Sequence, residues 1–238
     1  MKKHIPNTIT CCNLISGCVA TFFAFHQSYE LALLFIIIGA VFDFFDGFTA
    51  RLLKVSSPIG KELDSLADDI TFGFAPAAIV YSMLVQLTEA LPLGLPACWV
   101  TLLPFVAFLI AAFSALRLAK FNLDERQTTT FIGLPTPANA LFWGGLAYSL
   151  HANAALMHSP WFLLALIVGV FVSSLLLVAE VPMFALKFKT FALRPNLLRY
   201  GFILFSAVML LLLGIGGFPV VILAYVLISM ANNAWVRS

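Results

Sequence analysis

Residues 41–73 read VFDFFDGFTARLLKVSSPIGKELDSLADDITFG, which places five aspartates and a glutamate inside an otherwise oily chain. Of the 238 residues, 62% are hydrophobic and 10% charged, with mean hydropathy +1.02. A soluble domain carries about 25% charged residues, so the fold class expected is all-α, a polytopic bundle of membrane-spanning helices. The formal charge of +2 is too small to argue for a nucleic-acid partner. Cys11, Cys12, Cys18 and Cys98 show no metal-ligand spacing and read as free thiols.

Apolar runs of about twenty residues match a hydrocarbon core of about 30 Å. They fall at 8–26, 29–53, 60–87, 97–119, 136–151, 160–180, 199–214 and 216–235, which predicts eight spans. Breaker residues separate them at Ser56 to Pro58, Pro92 to Pro96, Pro135 and Pro137, Ser159 and Pro160, Pro195, and Gly216 and Gly217. With the N-terminus in the cytoplasm, all 13 Lys and Arg lie on that side: Lys2, Lys3, Arg51, Lys54, Lys61, Arg117, Lys120, Arg126, Lys187, Lys189, Arg194, Arg199 and Arg237. The opposite loops hold His26, Glu30, Glu89, His151 and His158, as positive-inside bias requires. Ile15 to Cys18 mimic a lipoprotein cleavage box, but Asn7, Thr8, Thr10 and Asn13 interrupt the apolar stretch that such a signal needs, so no cleavage is expected.

The acids follow helical spacing. Asp43, Asp46, Gly47 and Ala50 share one stripe of the second span; Gly60, Asp64 and Asp68 recur every four residues in the third. Ser56 is the natural hairpin tip. Asp46 lies ten residues before it and Asp64 eight after, while Asp43 lies thirteen before and Asp68 twelve after, so these pairs sit level in antiparallel helices. The acids then meet about 12 to 20 Å from the tip at a rise of about 1.5 Å per residue. Four buried carboxylates require positive charge among them, and Arg51 supplies one unit. The shortfall matches about two divalent ions, and oxygen-only ligands favour Mg²⁺ or Mn²⁺, with Ca²⁺ also compatible. Paired ions of this kind clamp a diphosphate and offset charge on its leaving oxygen. Gly47, Ala50 and Gly60 would let a nucleotide diphosphate approach the backbone, with Arg51, Lys54 and Lys61 adding positive field at the mouth.

Asp43, Asp46, Gly47, Ala50, Arg51, Gly60, Asp64 and Asp68 read DxxDGxxARx8Gx3Dx3D, which resembles the signature of the CDP-alcohol phosphotransferases. The resemblance implies that Asp43, Asp46 and Asp64 hold metal, that Asp64 and Asp68 serve a second ion, and that Asp68 is also the base. It further implies that Gly47, Ala50, Arg51 and Gly60 shape the CDP site. Asp69 follows the last motif aspartate, where many glycerol-phosphate and inositol-phosphate branches have lysine. The segments RLAKFN (117–122) and FIGLPTPANA (131–140) are similar to the bacterial phosphatidylserine-synthase branch. What this implies is an enzyme that transfers the phosphatidyl group of CDP-diacylglycerol to L-serine and releases CMP. The alternatives are glycerol 3-phosphate or an inositol phosphate as acceptor, or a transporter with intramembrane acids, though transporters place theirs near the midplane of repeated halves. Lys120 stands where that branch is expected to carry arginine, which keeps the charge but not the planar fork.

Asp69 lies about 100° around a regular helix from Asp68 and is left out of the ligand set. Arg117 and Lys120 suit the lipid phosphate or the serine carboxylate, although positive-inside anchoring alone also predicts them. Glu62 reads as a solvated partner for Lys61 or Arg51, and Pro76 as a kink that opens a wedge toward lipid. Residues 1–180 form the expected catalytic core. Residues 181–238 add a basic interfacial stretch and two spans suited to packing or to a homodimer contact. The expected location is a bacterial or archaeal plasma (inner) membrane, with the active site facing the cytoplasm.

Overall fold

The computed structural model describes residues 4–94, 96–124, 131–151, 159–184, 192–193 and 196–237. Lys2, Lys3, Arg126, His158, Lys187, Lys189, Arg194 and Pro195 lie outside the described residues. The chain is an all-α, multi-pass membrane protein. Its helices are α1 (His4–Phe25), α2 (Tyr29–Leu53), α3 (Pro58–Asp68), α4 (Ala75–Ala90), α5 (Ala97–Leu102), α6 (Leu109–Leu123), α7 (Thr136–His151), α8 (Pro160–Val178), α9 (Leu197–Leu213) and α10 (Phe218–Arg237). A π-helical segment, Asp69–Phe74, joins α3 to α4, and a 3₁₀ segment, Leu103–Phe108, joins α5 to α6. The ends agree with the apolar runs of the sequence to within four residues.

Among the described residues, six stretches are long and apolar enough to cross a membrane: His4–Phe25, Tyr29–Leu53, Pro58–Ala90, Ala97–Leu123, Pro160–Val178 and Leu197–Asn232. The last is a hairpin and not one rod. Phe202 and Tyr225 pack with tilted rings whose centroids are 5.8 Å apart, whereas 23 residues of continuous helix would separate them by about 35 Å. Gly214 makes the reversal at φ 61 and ψ −151, a conformation that only glycine adopts readily. α7, with 16 residues, is shorter than the six stretches and spans about 24 Å.

The sequence stops and starts these helices by ordinary capping. Lys54 ends α2 in the left-handed region, its N–H donating to Ala50 and Arg51 carbonyls. Ser57 opens α3, its hydroxyl accepting from the Gly60 N–H at 3.0 Å, with Pro58 in the first turn. The α2–α3 connection is therefore short and stiff.

α4 is the buried axis of the bundle, contributing Ala75, Ala77, Ala78, Ile79, Val80, Met83, Leu84 and Leu87 to a core shared with α1, α2, α6, α7 and α8. α1 packs along α2 and also against α3, α4 and the π segment, so α2 rests on α1 far more than on α3. The tightest point is Thr71 of the π segment. A Cβ on Gly39 would lie 2.5 Å from its methyl group, and one on Gly17 would overlap its hydroxyl. Only glycine lets the three backbones converge there. A smaller core joins α9 and α10 to residues 134–183 through Leu134, Leu177, Met183, Phe202, Val221 and Tyr225. There Phe131–Ile132 pairs antiparallel with Pro182–Met183, and Gly133 (φ 78) passes so close to the Leu177 carbonyl that a Cβ would sit 2.5 Å from it. The outward faces of α2 and α9 carry Phe44, Phe45, Phe48, Leu211 and Leu212, exposed as lipid-facing side chains should be.

Candidate active site

The two acid-bearing helices meet as hairpin geometry predicts. Asp43 of α2 and Asp64 and Asp68 of α3 each offer a carboxylate oxygen, and these atoms lie within 4.8 Å of one another. Asp46 stands outside this triad. It is buried, and its Oδ2 accepts from the Thr10 hydroxyl at 2.6 Å. Asp68 Oδ1 accepts from Asn13 Nδ2 at 3.1 Å, and the Asn13 carbonyl in turn accepts from the Thr71 hydroxyl at 3.0 Å. One face of α1 thus fastens an acid of α2 and an acid of α3, and ties itself to the π segment that follows.

Next to the triad opens a cleft of about 260 Å³. Asp46, Gly47 and Ala50 form one wall, Gly60, Lys61 and Asp64 a second, and Pro6, Asn7 and Thr10 of α1 a third. A Cβ on Gly47 would find only Arg51 Nη1, at 3.7 Å, so no packing demand of the protein explains its missing side chain. Gly60 is tighter, with Ser57 Oγ at 3.0 Å and Asn7 Oδ1 at 3.1 Å from the same point. Arg51 is exposed at the end of α2 and places its guanidinium beside Gly47.

The other candidates separate. Arg117 is buried, 7% exposed, and its Nη1 donates to Thr136 Oγ1 at 3.4 Å. Lys120, one turn on, is exposed at the end of α6. Lys61 Nζ donates to the Asn122 carbonyl at 3.0 Å rather than to Glu62, which is exposed. Asp69 begins the π segment with its Oδ1 beside Gly73 and Ser114, and it is not one of the three clustered acids. Pro76 is buried, and the irregularity before it is a π turn rather than a wedge open to lipid. The four cysteines are free.

The donor set fits a hard divalent cation. It offers oxygens alone, without imidazole or thiolate, from side chains close enough to share an ion, and the nearby bases Lys61 and Arg117 bond elsewhere. What sequence reasoning passed over is α1: Asn7, Thr10 and Asn13 recur every three residues and so face one side.

A carboxylate triad at one end of a membrane-embedded helical bundle, beside a cleft lined by Gly47 and Gly60, defines a multi-pass membrane enzyme. Residues 3–179 match the CDP-alcohol phosphatidyltransferase family, and the chain belongs to that family. It is 32% identical over 232 residues to a CDP-diacylglycerol–serine O-phosphatidyltransferase of Mycobacterium leprae, covering 94% of this chain and 69% of the relative. It is 38% identical over 139 residues to the Bacillus subtilis protein of that name, covering 57% of this chain and 70% of the relative. With the Saccharomyces cerevisiae protein of that name it shares 33% identity over 174 residues, covering 66% of this chain and 58% of the relative.

Proposed function

We propose that this chain transfers the phosphatidyl group of CDP-diacylglycerol to the hydroxyl of L-serine, giving phosphatidylserine and CMP. The observation that carries the reading is the meeting of Asp43, Asp64 and Asp68 beside the Gly47–Gly60 cleft. Relatives named for serine transfer, one of them aligned over 94% of the chain, favour serine over glycerol 3-phosphate or an inositol phosphate. In this reading Asp43, Asp46, Asp64 and Asp68 hold two divalent cations, Mg²⁺ or Mn²⁺. Bound there, such ions offset the charge of the diphosphate and of the departing CMP oxygen.

The chain's own groups do the rest. Gly47, Ala50 and Gly60 leave room for the CDP moiety, and Arg51 adds charge at the rim. Thr10 and Asn13 hold Asp46 and Asp68 in place. Asp68 accepts the proton of the serine hydroxyl as that oxygen bonds to the lipid-side phosphorus and the bond from phosphorus to CMP breaks. Positioning and charge neutralisation account for most of the acceleration, and no covalent enzyme intermediate is needed. Arg117 serves the acceptor carboxylate or the lipid phosphate. Lys120 reaches that role only by its charge at the helix end.

Residues 1–180 are the catalytic core in this account, in line with a family match that ends at residue 179. α9 and α10 add packing or a homodimer contact. Positive-inside bias supports eight spans with the N-terminus and the cleft on the cytoplasmic side of a bacterial or archaeal plasma (inner) membrane. The test is direct. Purified protein with CDP-diacylglycerol and Mn²⁺ receives radiolabelled L-serine, glycerol 3-phosphate or inositol phosphate in turn. Label from serine alone should enter lipid with equimolar CMP. Label from another acceptor would reassign the substrate, and absence of CMP from every reaction would remove the chain from transfer chemistry.

A further inference from the structure

A group of buried polar atoms belongs to the π segment and to α6 and α7, which both pack against it. Asp69 Oδ1, Ser114 Oγ, Arg117 Nε and both side-chain polar atoms of Asn139 are buried without a hydrogen-bond partner. Buried polar groups are normally paired, because an orphan keeps its desolvation cost and gains nothing in return. Ser114 and Asn139 are fully buried, and Arg117 is more than nine-tenths buried.

These residues belong together. Ser114 and Arg117 are one turn apart on α6; Thr136 and Asn139 are one turn apart on α7; the 3.4 Å contact from Arg117 Nη1 to Thr136 Oγ1 joins the two helices. Asp69 Oδ1 lies 2.6 Å, and Ser114 Cβ 2.9 Å, from the point where a Cβ on Gly73 would stand. The π segment that carries Asp69 packs against both α6 and α7. An anion, a fixed cation and an amide that can donate or accept therefore meet where the π segment packs on α6 and α7, and that segment starts one residue beyond the triad's Asp68. An α-amino acid has the complementary charges, and an acceptor without an ammonium does not.

We propose that Asp69, Ser114, Arg117 and Asn139 form the acceptor subsite, with the serine ammonium on Asp69 and Ser114 and the serine carboxylate on Arg117 and Asn139. This rests on the serine-transfer reading and specifies which residues select serine. Loading the subsite would direct the hydroxyl toward Asp68 and give Asp69 Oδ1, Ser114 Oγ, Arg117 Nε and Asn139 Nδ2 a partner.

The experiment measures KM for L-serine and for CDP-diacylglycerol separately in the wild type, Asp69→Asn and Asn139→Leu. Two inhibitors are added: 3-hydroxypropionate, which lacks the ammonium, and ethanolamine, which lacks the carboxylate. For Asp69→Asn the KM for serine should rise about tenfold or more, as loss of a charge-assisted hydrogen bond predicts, with KM for CDP-diacylglycerol and inhibition by 3-hydroxypropionate within about twofold. Asn139→Leu should raise the serine KM while sparing inhibition by ethanolamine. An unchanged serine KM in both variants would overturn the subsite, as would equal weakening of serine and both inhibitors, which is the mark of general distortion. If Asp69→Asn does not accumulate, Asn139→Leu with the ethanolamine comparison decides. A wild type that accepts no serine at all would instead refute the acceptor assignment, a result distinguishable because it needs no variant.

Discussion

Thr10 and Asn13 belong to a helix that bears no acid, yet they hold Asp46 and Asp68 of two others. Thr10→Val keeps the shape and removes the donor, leaving a buried carboxylate short of a partner. Activity at limiting CDP-diacylglycerol should fall about tenfold, in line with about 1.5–3 kcal/mol for a bond to a charged group. A fall below twofold would show that Asp46 needs no such support. Asp68→Asn should leave CDP-diacylglycerol binding and the ion held by Asp43, Asp46 and Asp64 in place and weaken only the second ion, while turnover drops by at least about 100-fold, the scale of general-base catalysis. Gly47→Ala meets only Arg51 Nη1 at 3.7 Å, so stability should hold or rise by up to about 1 kcal/mol while nucleotide affinity drops. Unchanged affinity would remove Gly47 from the cleft's function. The acids were legible because carboxylates in an apolar run demand an explanation. The Asn7, Thr10, Asn13 stripe was equally visible, but neutral polar residues pass in a membrane helix, and only the three-helix contact gives them a role.

At the scale of elements, regular-helix arithmetic located the α2–α3 meeting point because rise per residue is nearly constant over so short a hairpin. It did not foresee that α1, rather than direct α2–α3 packing, sets the spacing. Nor did it reach the π turn at Asp69–Phe74, which depends on packing around Thr71 and on the missing N–H of Pro76 rather than on local composition. The convergence at Thr71 makes a sharp prediction. Gly39→Ala would press a methyl against the Thr71 side chain at 2.5 Å and Asn13 Oδ1 at 3.0 Å, costing about 1–3 kcal/mol in unfolding measured in detergent and disturbing Asp68 through Asn13. Wild-type stability and turnover in that variant would show that the three backbones have room to separate.

For the whole molecule, helix placement was legible because apolar length is a strong signal, and the α9–α10 reversal followed from its glycines. Orientation is the finer question, and native thiols suit it. Cys98 is exposed at the start of α5, across the bundle from the α2–α3 loop, where Ser56 is also exposed. In intact cells a membrane-impermeant maleimide should label Cys98 and spare a Ser56→Cys variant that lacks the other cysteines. The reverse pattern would turn the cleft outward.

The most direct measurement of the central claim is Mn²⁺ binding to purified protein, followed by electron paramagnetic resonance, in the wild type and in Asp43→Asn and Asp64→Asn variants. The account predicts saturable binding that strengthens with CDP-diacylglycerol and is lost in both variants. Equal Mn²⁺ binding by all three proteins would contradict it.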